Sequence, residues 1–322
     1  MSEPYVTHKN IAEFANTSVN LKQEDVEDYR AQVNRLREKL DKYIADHPDY
    51  ALVKMLHSGS VRKGTALKTI NDMDVAVYVK ADKAPSNSND LVNWLVARLR
   101  EAYSNLNYDQ FTTQTHCVTV SFRGSGLDVD VVPVLYEGDS NDCGYLITKD
   151  IGDRVLTSIP LHLQFIRNRK TNNPKHFAQV IRLIKWWSRI QKRNNESFRF
   201  KSFMAELICA YLADKGLNMS NYPVALESFF AYIVSTGLKN RIYFTDYYNA
   251  SKLPSTNGAV IEIFDPVNPD NNVALRYTDE QRELIVEAAY DALDALTEAH
   301  HATTQGRAID LWKIVLGPSF KI

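Results

Sequence analysis

Residues 56–79 constrain the fold of this chain more than any other stretch of its sequence. They open with an apolar run, turn at Gly59 and Ser60, cross a basic loop, and reach Asp72 and Asp74 just before the apolar run 75–79. Alternate side chains of a strand share a face, so a strand that begins at Asp72 directs both carboxylates to one side. Two carboxylates so close repel each other unless cations lie between them, and Mg²⁺ prefers such oxygen ligands.

The turn that precedes these carboxylates has the composition of a phosphate-binding turn. Gly59 allows the backbone to come close to a phosphate, and Ser60 adds a hydroxyl and an N–H group. An Asp-x-Asp pair alone is usually a solvated turn, and a Gly-Ser pair alone is weaker still. The order and spacing of the two features together are typical of nucleotidyl transfer.

A third acidic position strengthens this interpretation. The sequence GSGLDVDVVPV, residues 124–134, places Asp128 and Asp130 two apart on an alternating strand that we expect Pro133 to end or to confine to a sheet edge. Acidic side chains on a strand otherwise rich in valine are costly unless they are paired or bind metal. We therefore predict catalysis here rather than a structural role.

These motifs carry a resemblance to a known family. The Gly-Ser pair, then DMD, then DVVP resembles the polymerase-β-type nucleotidyltransferases, and within them the cGAS/DncV-like enzymes (CD-NTases), bacterial relatives of the oligoadenylate synthases. The longer segments are similar to the C clade of that family. They are SGSVRKGTALKTINDMDVAVYV, SFRGSGLDVDVVPVLY, TSIPLHLQFIRNRK, PKHFAQVIRLIKWW, FRFKSFMAELI and DPVNPDNNVA.

The resemblance implies roles for individual residues. Asp72, Asp74 and Asp130 would be the catalytic residues and would hold two Mg²⁺ ions, with Mn²⁺ as an alternative. Asp128, on the same face, would not be a ligand and would either support the ligands or be structural. The nucleotide-binding positions would be Gly59, Ser60, Lys185 (in VIRLIKWW, towards the donor triphosphate) and Ser202 (in FKSFMAEL, towards the terminal phosphate).

The resemblance also implies a substrate, a product and partners. ATP would be converted into a cyclic oligoadenylate second messenger, cyclic tri-AMP, in bacterial anti-phage defence (CBASS). A HORMA-domain partner would switch the enzyme on, an AAA+ ring ATPase would switch it off, and double-stranded DNA is a candidate activator.

Composition narrows the remaining possibilities. The 322 residues are 44% hydrophobic and carry a net charge of −1, unlike proteins that remain bound to nucleic acid, which tend to be basic. The charge is unevenly distributed: residues 154–201 are rich in Lys and Arg and contain a single acid, Glu196. We expect this segment to bind phosphates.

Three scattered cysteines argue against a disulfide framework and structural zinc. No signal region or membrane-spanning run is apparent, so we expect a cytoplasmic protein without membrane association.

The apolar periodicity predicts an α+β fold of two lobes. Residues 1–155 are predicted to contain a long spine helix, over residues 22–47, and a catalytic lobe with a mixed sheet. Residues 156–322 form a helical lobe similar to the C-terminal domain of oligoadenylate synthases, and we expect the lobes to pack as one unit. Strands are predicted at 52–56, 75–79, 118–122 and 127–134. Helices are predicted at 91–103, 161–169, 176–191, 203–212, 223–234, 277–300 and 307–316.

Two other functions use similar residues. An RNA- or tRNA-tailing nucleotidyltransferase shares the carboxylate triad but requires a basic RNA-binding surface, which the near-neutral net charge disfavours. A catalytically silent sensor of nucleotide or DNA would keep the fold without the chemistry, but all three aspartates are present.

Overall fold

The computed structural model describes residues 4–69, 72–147, 154–256 and 258–322, with only the backbone at Asp72 and Ser88. This part of the chain contains ten α-helices and seven strands. The helices are α1 (His8–Phe14), α2 (Gln23–Asp46), α3 (Gly59–Lys63), α4 (Ser88–Ala102), α5 (Ile159–Asn172), α6 (His176–Asn194), α7 (Ser202–Asp214), α8 (Tyr222–Thr236), α9 (Asp279–His300) and α10 (Gln305–Leu316). The strands are β1 (Leu52–His57), β2 (Asp72–Lys80), β3 (Phe111–Thr113), β4 (Val118–Phe122), β5 (Leu127–Tyr136), β6 (Cys143–Ile147) and β7 (Arg154–Ser158).

The predicted spine helix is α2, within one residue of its predicted ends. Its apolar stripe buries Val33, Leu36 and Leu40, as expected for a helix with one core-facing side. Glu24 and Asp25 lie in its first turn, where negative charge interacts favourably with the helix dipole.

The strands form one mixed sheet in the order β1-β2-β5-β4-β3, and β6 pairs with both β5 and β7. The pair β2–β5 is parallel, and the other pairs are antiparallel. This confirms the α+β class and the mixed sheet. The short strands β3, β6 and β7 were not predicted, and Gly59–Lys63, predicted as a turn and loop, forms the short helix α3.

The prediction for Pro133 is wrong, because β5 continues through it to Tyr136 and lies inside the sheet. The register explains why the proline is tolerated. Pairing of β5 with β4 ends at Val131, and pairing with β6 begins only at Leu135. Pro133 therefore lies in a gap where that side of β5 has no neighbouring strand, so its missing N–H costs no ladder hydrogen bond.

The two faces of the sheet have different environments. One face carries Met73, Val75 and Val77 of β2 and packs against the buried stripes of α2 and α4 in a large core. The opposite face has a smaller cluster built around Ala76, Tyr78 and Val134. Because residues two apart share a face, Asp74 and Asp130 belong to this less covered side.

All the helices predicted after residue 160 are present as α5–α10, with ends that differ by a few residues. Pro223 lies in the first turn of α8, and Thr278 caps α9 with the reciprocal hydrogen bonds of a capping box through Gln281. The apolar faces of α6, α7 and α8 bury Trp187, Leu207 and Phe229 completely. This half of the chain is therefore helical, as predicted.

The contacts divide the chain into two compact units. One unit comprises Leu21–Gln164, and the other joins Met1–Asn20 to Phe165–Ile322. In the second unit, α1 packs on α8, and the π-helical turn Ala15–Val19 packs on α6.

Among the helices of the described chain, none combines the length and the apolar character needed to cross a bilayer.

Candidate active site

The carboxylates predicted to act together lie at matching positions of two adjacent strands. In the parallel pair β2–β5, Asp72 is opposite Asp128 and Asp74 is opposite Asp130. Neighbouring strands of a sheet lie less than about 5 Å apart, so Asp74 and Asp130 are close on one face. The side chain of Asp72 lies outside the described part of the structure, but its backbone opens β2 two residues before Asp74.

Gly59 directly adjoins one of these carboxylates. Its φ is +67°, and a Cβ built on it would lie 1.8 Å from Asp74 Oδ2. The backbone N–H of Ser58 donates to the Asp74 carbonyl oxygen at 2.9 Å, which fixes the turn against β2. The predicted phosphate-binding turn and the predicted metal ligand therefore meet, and only glycine fits between them.

Asp130 receives a hydrogen bond from the neighbouring strand β4. Thr119 is its cross-strand partner, and the Thr119 hydroxyl donates to Asp130 Oδ1 at 2.6 Å. Asp128 lies two pairs further along, opposite Ser121. Thr119 was not predicted as a site residue, because nothing in a single sequence shows which residue of β4 is opposite Asp130.

Cys117 is within the electrostatic reach of the same carboxylates. Burial, followed by the negative charges of Asp130 and Asp74, raises the pKa of the Cys117 thiol to about 11. The thiol therefore stays protonated at neutral pH. All three cysteines are free, in agreement with the absence of a predicted disulfide framework.

A basic cluster lies on the other face of the sheet, between β1, α2 and α3. It consists of His57, Arg30, Arg37 and Arg62. Burial, followed by the charges of Arg37, Arg62 and Arg30, lowers the pKa of His57 to about 4. No group of the described chain hydrogen-bonds His57 Nε2 or Arg30 Nε, although both atoms are buried. At neutral pH His57 is therefore uncharged, and the positive potential here comes from the three arginines.

The two nucleotide-binding residues predicted in the helical half are in contrasting environments. Lys185 of α6 is buried and forms an ion pair with Glu206 of α7, with 2.7 Å between Nζ and Oε1. Ser202 is the exposed first residue of α7. Lys185 and Ser202 belong to one compact unit, and Gly59, Asp74 and Asp130 belong to the other.

The basic run 154–201 is not a uniformly solvated surface. Arg169 is buried and pairs with Asp214 and Asp246. Burial acts to lower the pKa of its guanidinium, but the two carboxylates together hold that pKa above its usual value. Arg182 donates to Asn20 at 2.8 Å, and burial lowers its pKa. Part of the predicted phosphate-binding charge is therefore used within the fold.

Two family models cover nearly the whole chain. Residues 6–157 match the Second Messenger Oligonucleotide or Dinucleotide Synthetase domain, and residues 155–316 match the C-terminal domain of 2'-5'-oligoadenylate synthetase 1. The mixed sheet, the paired carboxylates and these matches define a two-lobed nucleotidyltransferase of the second-messenger synthetase class.

Relatives specify the family further. The chain is 51% identical to the cyclic AMP-AMP-AMP synthase of Escherichia coli MS 115-1 over the full length of both proteins. It is 31% identical to the CBASS oligonucleotide cyclase CdnC of E. coli KTE188 over 98% of both. The chain belongs to the CBASS oligonucleotide cyclases of the CdnC type, within the CD-NTase family, which confirms the resemblance found in its sequence.

Two solved structures agree with this assignment. The structures of E. coli MS115-1 CdnC with ATP and of its complex with HORMA-deltaN are each 51% identical to the chain. The ATP-bound structure has a TM-score of 0.95, and the comparison covers 99% of this chain and 100% of that one. The HORMA-deltaN complex has a TM-score of 0.94, and the comparison covers 99% of both chains. The chain is therefore an enzyme, a nucleotidyltransferase of the cyclic oligonucleotide synthases, and enzymes of this type depend on divalent metal.

Proposed function

We propose that this enzyme converts ATP into a cyclic oligoadenylate, cyclic tri-AMP, which acts as a second messenger in bacterial anti-phage defence. The observation that carries the proposal is the parallel register that sets Asp74 opposite Asp130, beside the turn at Gly59. The name of the 51% identical relative, a cyclic AMP-AMP-AMP synthase, supports both the substrate and the product.

The donor set of this site suits divalent cations. Hard carboxylate oxygens are the ligands that Mg²⁺ prefers, and close like charges on adjacent strands are stabilised by a cation. We propose that Asp72, Asp74 and Asp130 hold two Mg²⁺ ions, which Mn²⁺ can replace. When bound, such ions lower the pKa of an attacking hydroxyl and neutralise a pyrophosphate leaving group.

The chain's own residues supply the positioning on which phosphoryl transfer largely depends. Gly59 keeps the turn close to Asp74, and the backbone and hydroxyl of Ser60 bind phosphate oxygens. A ribose hydroxyl of one nucleotide attacks the α-phosphorus of another, a phosphodiester bond forms, and pyrophosphate leaves. Three such steps, the last within one linear molecule, close the ring.

We propose that Lys185 and Ser202 bind the donor triphosphate from the helical half. Lys185 already bonds to Glu206, and an ammonium group has three donors. Phosphate binding at Lys185 therefore requires it to divide these donors between Glu206 and the nucleotide. Ser202, exposed at the start of α7, needs no such rearrangement.

Partners are proposed on two grounds. A structure of the 51% identical CdnC with HORMA-deltaN supports a HORMA-domain activator, and an AAA+ ATPase as the opposing regulator follows from the family resemblance alone. Double-stranded DNA is the proposed second activator, and the basic segment 154–201 is the proposed contact for its phosphates. Binding through such phosphate contacts weakens steeply as salt is added.

The test is a product assay on the purified chain. The protein is incubated with each labelled NTP and Mg²⁺, with and without a cognate HORMA partner and long duplex DNA, and phosphatase-resistant products are weighed by mass spectrometry. We expect a species with the mass of cyclic tri-AMP from ATP alone. The variant carrying both Asp72→Ala and Asp74→Ala should yield no product, with unchanged circular dichroism.

Other outcomes would contradict the proposal. RNA that lengthens with ATP, without a cyclic product, would identify a tailing enzyme. ATP binding without pyrophosphate release, even with HORMA partner and DNA, would identify a silent sensor. Equal activity in the double aspartate variant would refute the metal-site assignment.

A further inference from the structure

The strand next to the carboxylates contributes a side chain of its own to the site. Thr119 lies on β4 directly opposite Asp130, and its hydroxyl donates to Asp130 Oδ1 at 2.6 Å. This distance is in the short range of O–H···O⁻ bonds, which are stronger than bonds between neutral groups. Both residues are half-buried, so solvent competes with the bond only in part.

The bond acts where two carboxylates are opposite each other on adjacent strands. Asp130 has Asp74 as its partner on β2 and Thr119 as its partner on β4. A donated proton on Oδ1 stabilises the charge that Asp74 destabilises. A carboxylate has two acceptor oxygens, so Oδ2 is left for a cation.

Threonine is well suited to hold a fixed direction. Its branched Cβ restricts χ1 in a strand, so the hydroxyl is aimed by the backbone rather than by a flexible chain. Its cross-strand neighbour on the other side, Thr112 of β3, offers a contrast, because it is exposed and forms no side-chain hydrogen bond with a described residue.

We propose that Thr119 is a positioning residue of the cation site, which orients Asp130 by binding Oδ1 and leaves Oδ2 as the ligand atom. The proposal rests on the assignment of Asp130 as a metal ligand. Groups that hydrogen-bond metal-ligating carboxylates typically change metal affinity or activity about 10–100-fold when they are removed.

The experiment compares Thr119→Val, which removes the donor at nearly constant shape, with Thr119→Ser, which keeps it. Thr112→Val is the matched control, the same chemical change on the adjacent strand. Mn²⁺ affinity is measured without nucleotide from the loss of the free ion's EPR signal. We expect Thr119→Val to raise the Mn²⁺ Kd about 10–100-fold. Thr119→Ser and Thr112→Val should remain close to the parent.

Activity gives a second readout. The Mg²⁺ concentration needed for half-maximal pyrophosphate release should rise in Thr119→Val and return in Thr119→Ser. An unchanged Mn²⁺ Kd in Thr119→Val, or an equal rise in Thr112→Val, would overturn the proposal and leave only a bond that stabilises the sheet.

Asp130→Asn separates this inference from the site assignment on which it rests. If Asp130→Asn loses Mn²⁺ binding and Thr119→Val does not, the role of Thr119 alone is refuted. If Asp130→Asn binds Mn²⁺ like the parent, the metal site itself is misassigned and the role of Thr119 is refuted with it.

Discussion

At the scale of single residues, the Asp74 carboxylate occupies the space that any side chain at position 59 would need. A Cβ placed on Gly59 would lie 1.8 Å from Asp74 Oδ2 and 2.5 Å from its Cγ. Real Cβ atoms essentially never approach so closely, so a substituted residue must displace either the turn or the carboxylate. Gly59 is therefore required for more than backbone freedom.

We predict that Gly59→Ala removes cation binding and synthesis. The positive φ alone costs an alanine about 1–2 kcal/mol, and the contact with Asp74 also displaces the carboxylate proposed to bind the cation. Gly126→Ala is the matched control, because φ is +68° there and a Cβ would meet nothing within 4 Å. Urea unfolding and Mn²⁺ titration measure the two effects.

Both alanine variants should lose stability because of the positive φ, but only Gly59→Ala should lose Mn²⁺ affinity. Gly126→Ala should lose about 1–2 kcal/mol of stability while its Mn²⁺ Kd is unchanged. If Gly59→Ala bound Mn²⁺ and made product like Gly126→Ala, then Gly59 would serve only the backbone conformation.

The sequence predicted these carboxylates because their spacing is local. Asp72 and Asp74 are two residues apart, and a period of two fixes which strand residues share a face. That Asp74 lies opposite Asp130, rather than one pair away, is a property of the register between β2 and β5. Register depends on long-range packing, so the contacts of Gly59 with Asp74 and of Thr119 with Asp130 could not be predicted.

At the scale of elements, α6 and α7 are joined by a buried ion pair. The side chains of Lys185 and Glu206 are 6% and 3% exposed. Taking two charges out of water is costly, and their attraction offsets this cost only while both are present. The helical periodicity predicted both helices, but it gave no sign of this pair, because the partners are 21 residues apart and lie on different helices.

We predict strong non-additivity between Lys185→Met and Glu206→Leu. Each single variant leaves one buried charge without its partner and should lose about 3–5 kcal/mol of the free energy of unfolding. The double variant should lose much less than the sum, because neither charge remains. Urea denaturation at pH 7 measures all three variants.

An exposed ion pair provides the control for this double-mutant cycle of Lys185 and Glu206. Lys313 and Asp310 of α10 lie 2.9 Å apart with side chains 39% and 66% exposed. Removing either should change stability by less than about 1 kcal/mol. Additive losses in the Lys185–Glu206 cycle would mean that the pair contributes no coupling, contrary to its burial.

At the scale of the whole molecule, the boundary between the two compact units differs from the boundary predicted by the change to a helical sequence pattern. The sequence predicts a catalytic lobe over residues 1–155, but contacts group Met1–Asn20 with Phe165–Ile322. The short helix His8–Phe14 was not predicted, and local sequence does not show what its apolar residues touch. Those contacts span the length of the chain, as in the ring contact between Phe14 and Phe320 at 5.3 Å.

We predict that Phe14→Ala loosens the helical unit and leaves the catalytic sheet unchanged. Phe14 is buried, and its ring also contacts Trp186 of α6 at 6.2 Å. Truncating a buried phenylalanine typically costs about 3–5 kcal/mol. Hydrogen-exchange mass spectrometry should show faster exchange in α6 and near Phe320, with β2 and β5 unaffected.

Glu13→Ala is the control, because Glu13 is the exposed neighbour on the same helix and should leave exchange unchanged. Faster exchange in β2 and β5, equal to that in α6, would mean that the two units open together rather than separately. No change in α6 would mean that the first twenty residues add little to the unit they contact. The predicted pattern, in contrast, makes the N-terminal segment part of the helical unit, although it precedes the catalytic lobe in the sequence.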